Sequence, residues 1–206
     1  MTRRQRRYSL RYRLPLRPWE VGPTPAELIA LAVHEASQLP RGHARALDLG
    51  CGSGRRAVEV ARYGWQVVGV DIVPGALEEA RCRAAAAGVP ARFVAGDVAR
   101  LDLVSDQLGG LFDLVYDVGC FHDLPAARRR SYADGVCRLC RPGGFYALFA
   151  LEPLPARRLL GIPAGVAAAE IEELFGDAFT LVSTHPAPRS LRTPAYYCLR
   201  RRAESA

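Results

Sequence analysis

Short apolar runs rich in β-branched residues alternate along this chain with Ala- and Leu-rich stretches of helical period, and this alternation limits the fold more than any other feature. Strands are predicted over Ala44–Leu49, Gln66–Asp71, Ala91–Ala95, Phe112–Asp117, Phe145–Leu151, Phe179–Thr184 and Tyr196–Arg200. Helices are predicted over Pro25–Gln38, Arg55–Tyr63, Gly75–Ala87, Ala126–Leu139 and Ala167–Phe175, with a further short one over Leu103–Leu108. Five strands separated by helices require right-handed parallel crossovers and a sheet covered on both faces. The last two strands are joined by Pro186-Ala187-Pro188-Arg189-Ser190 with no helix between them, so the last strand is expected to run antiparallel. The expected architecture is α/β: three layers, a seven-stranded sheet that is mostly parallel with an antiparallel last strand, and helices on both faces.

With 206 residues, half of them apolar, the chain has material for one sizeable core. Its formal net charge of +7 is local: residues 1–17 hold seven Arg and no acid, and without them the remainder is neutral. A basic, flexible tail is expected over 1–17 and a single domain over 18–206. All 28 basic residues are Arg, which a coding bias explains more simply than a need for guanidinium chemistry. The six Cys are scattered over predicted helices and strands, no signal peptide or membrane span is recognisable, and the expectation is of reduced thiols in a cytoplasmic protein. Cys137-x-x-Cys140 is one pair without a second, so no metal site is expected.

The first predicted strand runs into Asp48-Leu49-Gly50-Cys51-Gly52-Ser53-Gly54, and a helix follows at once. Glycines there permit a tight turn and leave the backbone open to a ligand. In an open parallel sheet, the space beyond a strand's carboxyl end is where ligands bind. A dinucleotide fingerprint would place its third glycine at 55, where Arg55 stands, and a phosphate-binding loop would need Lys followed by Ser or Thr, where Arg55-Arg56 stands.

Four stretches in order resemble the class I S-adenosylmethionine-dependent methyltransferases, and the resemblance covers Trp19 to Arg200. They are the Asp48–Gly54 turn; Val67-Val68-Gly69-Val70-Asp71, whose acid lies 21 residues after Gly50; Phe93-Val94-Ala95-Gly96-Asp97-Val98; and Phe112–Cys120, followed after a helix by Arg141-Pro142-Gly143-Gly144. The resemblance implies a Rossmann-like fold and S-adenosylmethionine as cofactor, with S-adenosylhomocysteine as product. It further implies that Asp48 orients the turn or reaches the methionine end of the cofactor. Gly50, Cys51, Gly52 and Gly54 shape the pocket, Asp71 with Ile72 beside it holds the ribose, and Asp97 with Val98 holds the adenine. Asp117 and Val118 flank the methionine moiety. Val118-Gly119-Cys120-Phe121-His122 lacks the Asn/Asp-Pro-Pro-aromatic motif of nucleobase and amide N-methyltransferases, which argues against those acceptors.

Methyl transfer from a sulfonium is an in-line displacement, so the protein mainly positions the reactants and excludes water, and a base is needed only for a protonated nucleophile. His122 is the candidate base or orienter, with helix capping as its structural alternative. Trp19, in Arg17-Pro18-Trp19-Glu20, resembles the segment that lies across the cofactor in methyltransferases of thiols, thiopurines and selenium or tellurium oxyanions; packing of the first helix is its alternative role. The Glu152–Ile162 segment is a candidate cover for the substrate. The expected acceptor is a small molecule with a sulfur, oxygen or similar nucleophile. No membrane or nucleic-acid partner is expected, and the chain fits a monomer or weak homodimer. Two rival readings stand beside this one: an RNA or protein methyltransferase that holds its partner with the Arg-rich tail, and a regulator that binds the cofactor without turnover.

Overall fold

The computed structural model describes residues 3–12, 17, 20, 22–40, 42–153, 165–185 and 194–203. The chain divides into two compact units, Met1–Gly109 and Gly110–Ala206.

The first unit contains α1 (Arg3–Tyr12), α2 (Ala26–Gln38), β1 (Arg45–Leu49), α3 (Arg55–Ala61), β2 (Gln66–Asp71), α4 (Pro74–Ala87), β3 (Ala91–Ala95), a 3-10 turn at Leu101–Val104 and α5 (Ser105–Leu108). Its strands pair in parallel, Leu47 opposite Val68 and Val70 opposite Val94. Ala46, Leu47, Leu49, Val67, Val68 and Val70 are all buried, as expected of strands covered on both faces. Helix α4 opens on Pro74, whose missing N–H costs nothing in the first turn, and stops at Gly88, which adopts φ +62°. Helix α2 buries Leu28 and Ala32, and the buried Trp65 indole donates to the Ala32 carbonyl at 3.0 Å.

The second unit contains β4 (Phe112–Val118), a 3-10 turn at Phe121–Asp123, α6 (Ala126–Leu139), β5 (Cys140–Ala150), α7 (Ala168–Phe175), β6 (Phe179–His185) and β7 (Ala195–Arg201). Strand β5 is parallel to β4, and β7 is antiparallel to both β5 and β6. Phe121, Tyr132, Tyr146, Phe175 and Phe179 form an aromatic core with ring centroids 4.9–6.2 Å apart. The buried Arg129 braces this unit. Its Nη1 donates to both carboxylate oxygens of Glu170 at 2.8 and 2.7 Å, its Nε to Leu124 O at 3.1 Å and its Nη2 to Gly165 O at 3.3 Å. Val166 N donates to Leu151 O at 2.8 Å.

The strand order is β3-β2-β1-β4-β5-β7-β6, a mixed seven-stranded sheet in which only β7 is reversed, as the sequence leads one to expect. Three details differ from expectation. Strand β5 begins at Cys140, five residues before the expected Phe145, because Cys140 pairs with Phe112; the register shift between Phe112 and Leu114 absorbs the Pro-Gly-Gly stretch as an irregularity within the strand. Helix α3 stops at Ala61, since Arg62–Gly64 form a turn and Gly64 adopts φ +93°. No helix is predicted before Pro25, and residues 3–12 form α1. Gln5 Nε2 donates to the Ile72 carbonyl at 3.1 Å, which ties the helix to the segment after β2.

Candidate functional site

In the first unit the site is built around the turn after β1. Gly50, Gly52 and Gly54 all adopt left-handed φ values, +75°, +53° and +73°, a conformation that side chains bearing a Cβ rarely accept. The turn is anchored from below by Gly50 N and Cys51 N, which both donate to Val70 O, at 2.8 and 3.1 Å. Gly69 makes room for it: a Cβ there would stand 2.8 Å from Cys51 Sγ and 2.7 Å from Phe93. Asp48 is buried at the end of β1 beneath the turn.

Asp71 is the keystone of this half. Its Oδ2 accepts from Gly52 N at 2.9 Å and its Oδ1 from Val73 N at 2.9 Å. One carboxylate thus ties the glycine turn to the segment that leaves β2. Ile72 lies in that segment, and its carbonyl takes the hydrogen bond from Gln5. Beyond β3, Asp97 turns Oδ1 to Ala99 N at 3.1 Å while Val98 is buried.

The N-terminal segment reaches the same turn. The Tyr12 hydroxyl lies against Gly52, and Glu20 Oε1 approaches from the same direction, 3.7 Å from where a Cβ on Gly52 would stand. Arg17 holds the segment down by donating to Glu79 Oε2 and Oε1 of α4 at 2.6 and 2.9 Å and to Tyr12 O at 2.6 Å. Trp19 lies outside the described residues, as do residues 154–162 of the expected covering loop.

In the second unit, Asp117 ends β4 fully buried. Its Oδ1 accepts from Cys120 N at 2.7 Å, and its Oδ2 accepts from Phe121 N at 2.9 Å and from Tyr132 Oη at 2.7 Å. Tyr132 and Tyr146 hydroxyls are 3.0 Å apart, so while the carboxylate is ionised the chain of donors runs Tyr146 to Tyr132 to Asp117. Burial pushes the Asp117 carboxyl up to about 6, against the pull of Tyr132 and the backbone N–H groups. Asp117 therefore organises the Val118–His122 loop from behind, and its carboxylate is already filled with partners from its own unit. His122 sits on that loop, half-buried, and its Nδ1 accepts from Leu151 N at 3.2 Å. With Nδ1 so engaged, the neutral ring carries its proton on Nε2.

A family model described as a methyltransferase domain matches residues 46–144, which takes in the glycine turn, Asp71, Asp97, Asp117 and the Arg141–Gly144 stretch. An uncharacterized methyltransferase of Schizosaccharomyces pombe is 32% identical over 103 residues, 50% of this chain and 68% of the relative. The chain belongs to the class I S-adenosylmethionine-dependent methyltransferases. The 2-heptyl-1-hydroxyquinolin-4(1H)-one methyltransferase of Mycobacteroides abscessus is 27% identical over 170 residues, 82% of this chain and 71% of the relative. A solved structure described for the conversion of a disulfide bond into a thioacetal group during echinomycin biosynthesis is 26% identical, with a TM-score of 0.75 over 98% of this chain and 94% of the other.

Within this methyltransferase, the sequence pattern points directly to the turn and Asp71, but not to Tyr12, Glu20, Tyr132 or Tyr146. Tyr12 and Glu20 reach the turn only through α1 and the segment after it, and the two tyrosines reach Asp117 only through α6 and β5. Gly69 carried a signal, a lone glycine in a strand of Val, which marks a close backbone approach. Burial pushes the Cys140 thiol up to about 12 and raises Cys137 as well, so the CxxC pair is held protonated. Among the described residues no group of three or more His, Cys, Asp or Glu side chains is arranged to hold a metal ion, and no helix is long and apolar enough to cross a membrane.

Proposed function

We propose that this methyltransferase binds S-adenosylmethionine at the Gly50–Gly54 turn and transfers its methyl group to a small-molecule nucleophile by in-line displacement, releasing S-adenosylhomocysteine. The observation that carries the reading is the Asp71 carboxylate clamped to Gly52 N and Val73 N beside a turn of three left-handed glycines. The turn offers bare backbone to the ligand, and the buried acid suits hydroxyl donors such as those of a ribose while opposing phosphates. When bound, the cofactor supplies an electrophilic sulfonium methyl. The chain's part is to orient the two reactants and exclude water. Asp48, Gly50, Cys51, Gly52, Gly54, Asp71 and Ile72 form the cofactor side in this reading, with Asp97 and Val98 toward the adenine. Val118 lines the reactive end, and Asp117 positions its loop. The reading takes residues 18–206 as one functional domain, cytoplasmic, working as a monomer or weak homodimer.

His122 in this proposal orients the acceptor and is not a base. Its Nδ1 accepts from Leu151 N, so the hydrogen of the neutral ring is on Nε2 and a lone pair for proton abstraction is not. A donor stabilises a nucleophile that arrives as an anion, so the acceptor class is an acidic hydroxyl, thiol or similar group. The hydroxylated heteroaromatic named for the Mycobacteroides abscessus relative is a fitting first acceptor to assay. His122→Gln is expected to lower kcat/KM about fivefold, the loss of one neutral hydrogen bond. The pH–rate profile should keep following the acceptor's own ionisation. If the acid limb of that profile disappears in His122→Gln, the base role is restored. Release of S-adenosylhomocysteine across thiols, phenols, N-hydroxy compounds, carboxylates and amines tests the function as a whole. Silence across the panel, with cofactor binding intact, favours the non-catalytic regulator.

Contacts made by α1 support the small-molecule reading beside the RNA one. Gln5 and Tyr12 of this helix engage Ile72 and Gly52 of their own unit, which favours a role at the cofactor turn over one as an arm for a polyanion.

A further inference from the structure

One oxygen beside the glycine turn has nothing to bind. Glu20 Oε1 is buried without a hydrogen-bond partner. The other carboxylate oxygen, Oε2, lies 3.8 Å from Arg17 Nη1, but that guanidinium is committed to Glu79 and to Tyr12 O at 2.6–2.9 Å. The arrangement holds Glu20 against the turn while leaving its inner oxygen unsatisfied. A buried carboxylate oxygen in that condition is costly unless a donor arrives from outside the chain.

The opposite condition holds one residue past the turn. Arg55 has buried Nε and Nη2 atoms with no hydrogen-bond partner. An orphaned acceptor against the turn and orphaned donors on the residue that follows it in the chain suit a ligand that carries both charges. A phosphate would satisfy Arg55 and be repelled by Glu20. An α-amino acid group, with its ammonium and carboxylate on one carbon, matches the pair.

We propose that Glu20 is a cofactor-binding residue whose Oε1 accepts a hydrogen bond from the α-ammonium of the methionyl end of S-adenosylmethionine. This rests on the cofactor reading above and assigns one polar contact of that site to the N-terminal segment. Arg17, through Glu79, is the positioning residue that keeps Glu20 in place. The Tyr12 hydroxyl, against Gly52, closes the same side of the turn.

The test compares three ligands by isothermal titration with the full chain: S-adenosylmethionine, 5′-methylthioadenosine, which lacks the whole amino acid end, and an S-adenosylhomocysteine analogue without the α-amino group. Glu20→Gln is expected to weaken S-adenosylmethionine at least about tenfold, the scale of one hydrogen bond to a charged group. Binding of methylthioadenosine and of the deaminated analogue should change by less than about twofold, and their retention also reports that the variant is folded. Glu20→Asp should recover part of the loss. Equal weakening of all three ligands assigns Glu20 a purely structural role and overturns the proposal, as does unchanged binding of S-adenosylmethionine. If the wild-type chain binds none of the three, the cofactor reading itself fails and the proposal falls with it. If wild type binds methylthioadenosine and S-adenosylmethionine equally, the cofactor reading stands and the clamp alone is refuted.

Discussion

Asp71→Ala is expected to abolish S-adenosylmethionine binding, weakening it by about a hundredfold or more in isothermal titration. Two charge-assisted hydrogen bonds are lost at once, from Gly52 N and Val73 N, each worth roughly 1.5–3 kcal/mol. The loss frees the glycine turn and the exit from β2 together. The cofactor then meets a backbone that must be ordered on binding, in addition to losing the acid that would accept its hydroxyls. Asp71→Asn separates these effects. Its amide oxygen can still accept one backbone N–H, so stability should recover more than affinity does. Full affinity in Asp71→Ala would remove the adenosyl reading of this turn.

A second large effect concerns stability against pH. The Asp117 carboxyl is raised by burial from its ordinary 3.8 to about 6 in the folded chain. The fold therefore prefers the protonated form. The stability linked to this group is fully present below 3.8 and is lost as pH rises through about 6. A shift of this size corresponds to about 3 kcal/mol, isolated as the difference between wild type and Asp117→Asn in urea unfolding at pH 4 and pH 7.5. Tyr132→Phe sharpens the point. The lost hydroxyl donates to Asp117 Oδ2 and favours its charged form, so the variant should be destabilised by roughly 1–3 kcal/mol at pH 8 and by less at pH 4. An equal penalty at both values would show that the hydroxyl serves neither form preferentially.

These two acids mark the boundary of what the sequence discloses. Asp71 was legible because its partners are local: a strand end, a glycine turn 19 residues back and the first N–H groups after the strand. The sheet was legible for a related reason, since β1–β5 are short, mainly apolar runs and each crossover between them carries its helix. Asp117 has the same appearance, an acid at a strand end, yet its carboxylate is sealed by Tyr132 from α6 and by the N–H groups of its own loop. No pattern along the chain distinguishes an acid that faces a ligand from one capped by a tyrosine 15 residues away. His122 was legible as a polar residue on the loop after β4, but its tautomer is decided by Leu151, 29 residues downstream. The early start of β5 was hidden for the converse reason. Pro142-Gly143-Gly144 is a strong local turn signal, and the pairing of Cys140 with Phe112 overrides it. The Arg-rich segment reads as a solvated run until Gln5, Tyr12 and Arg17 are seen to meet Ile72, Gly52 and Glu79.

The brace around Arg129 has an evolutionary consequence. Val166 N meets Leu151 O at 2.8 Å, Arg129 holds the Gly165 carbonyl, and Gly165 fits against Glu152 O only because it has no Cβ. The two ends of the 153–164 stretch are thus stapled to each other and to α6 before any residue between them is specified. Doubling the length of a stretch closed in this way costs only about 0.6 kcal/mol of chain entropy. Insertions and deletions between Pro153 and Gly165 are therefore expected to cost the fold little, so length at that point is free to drift among descendants of this chain.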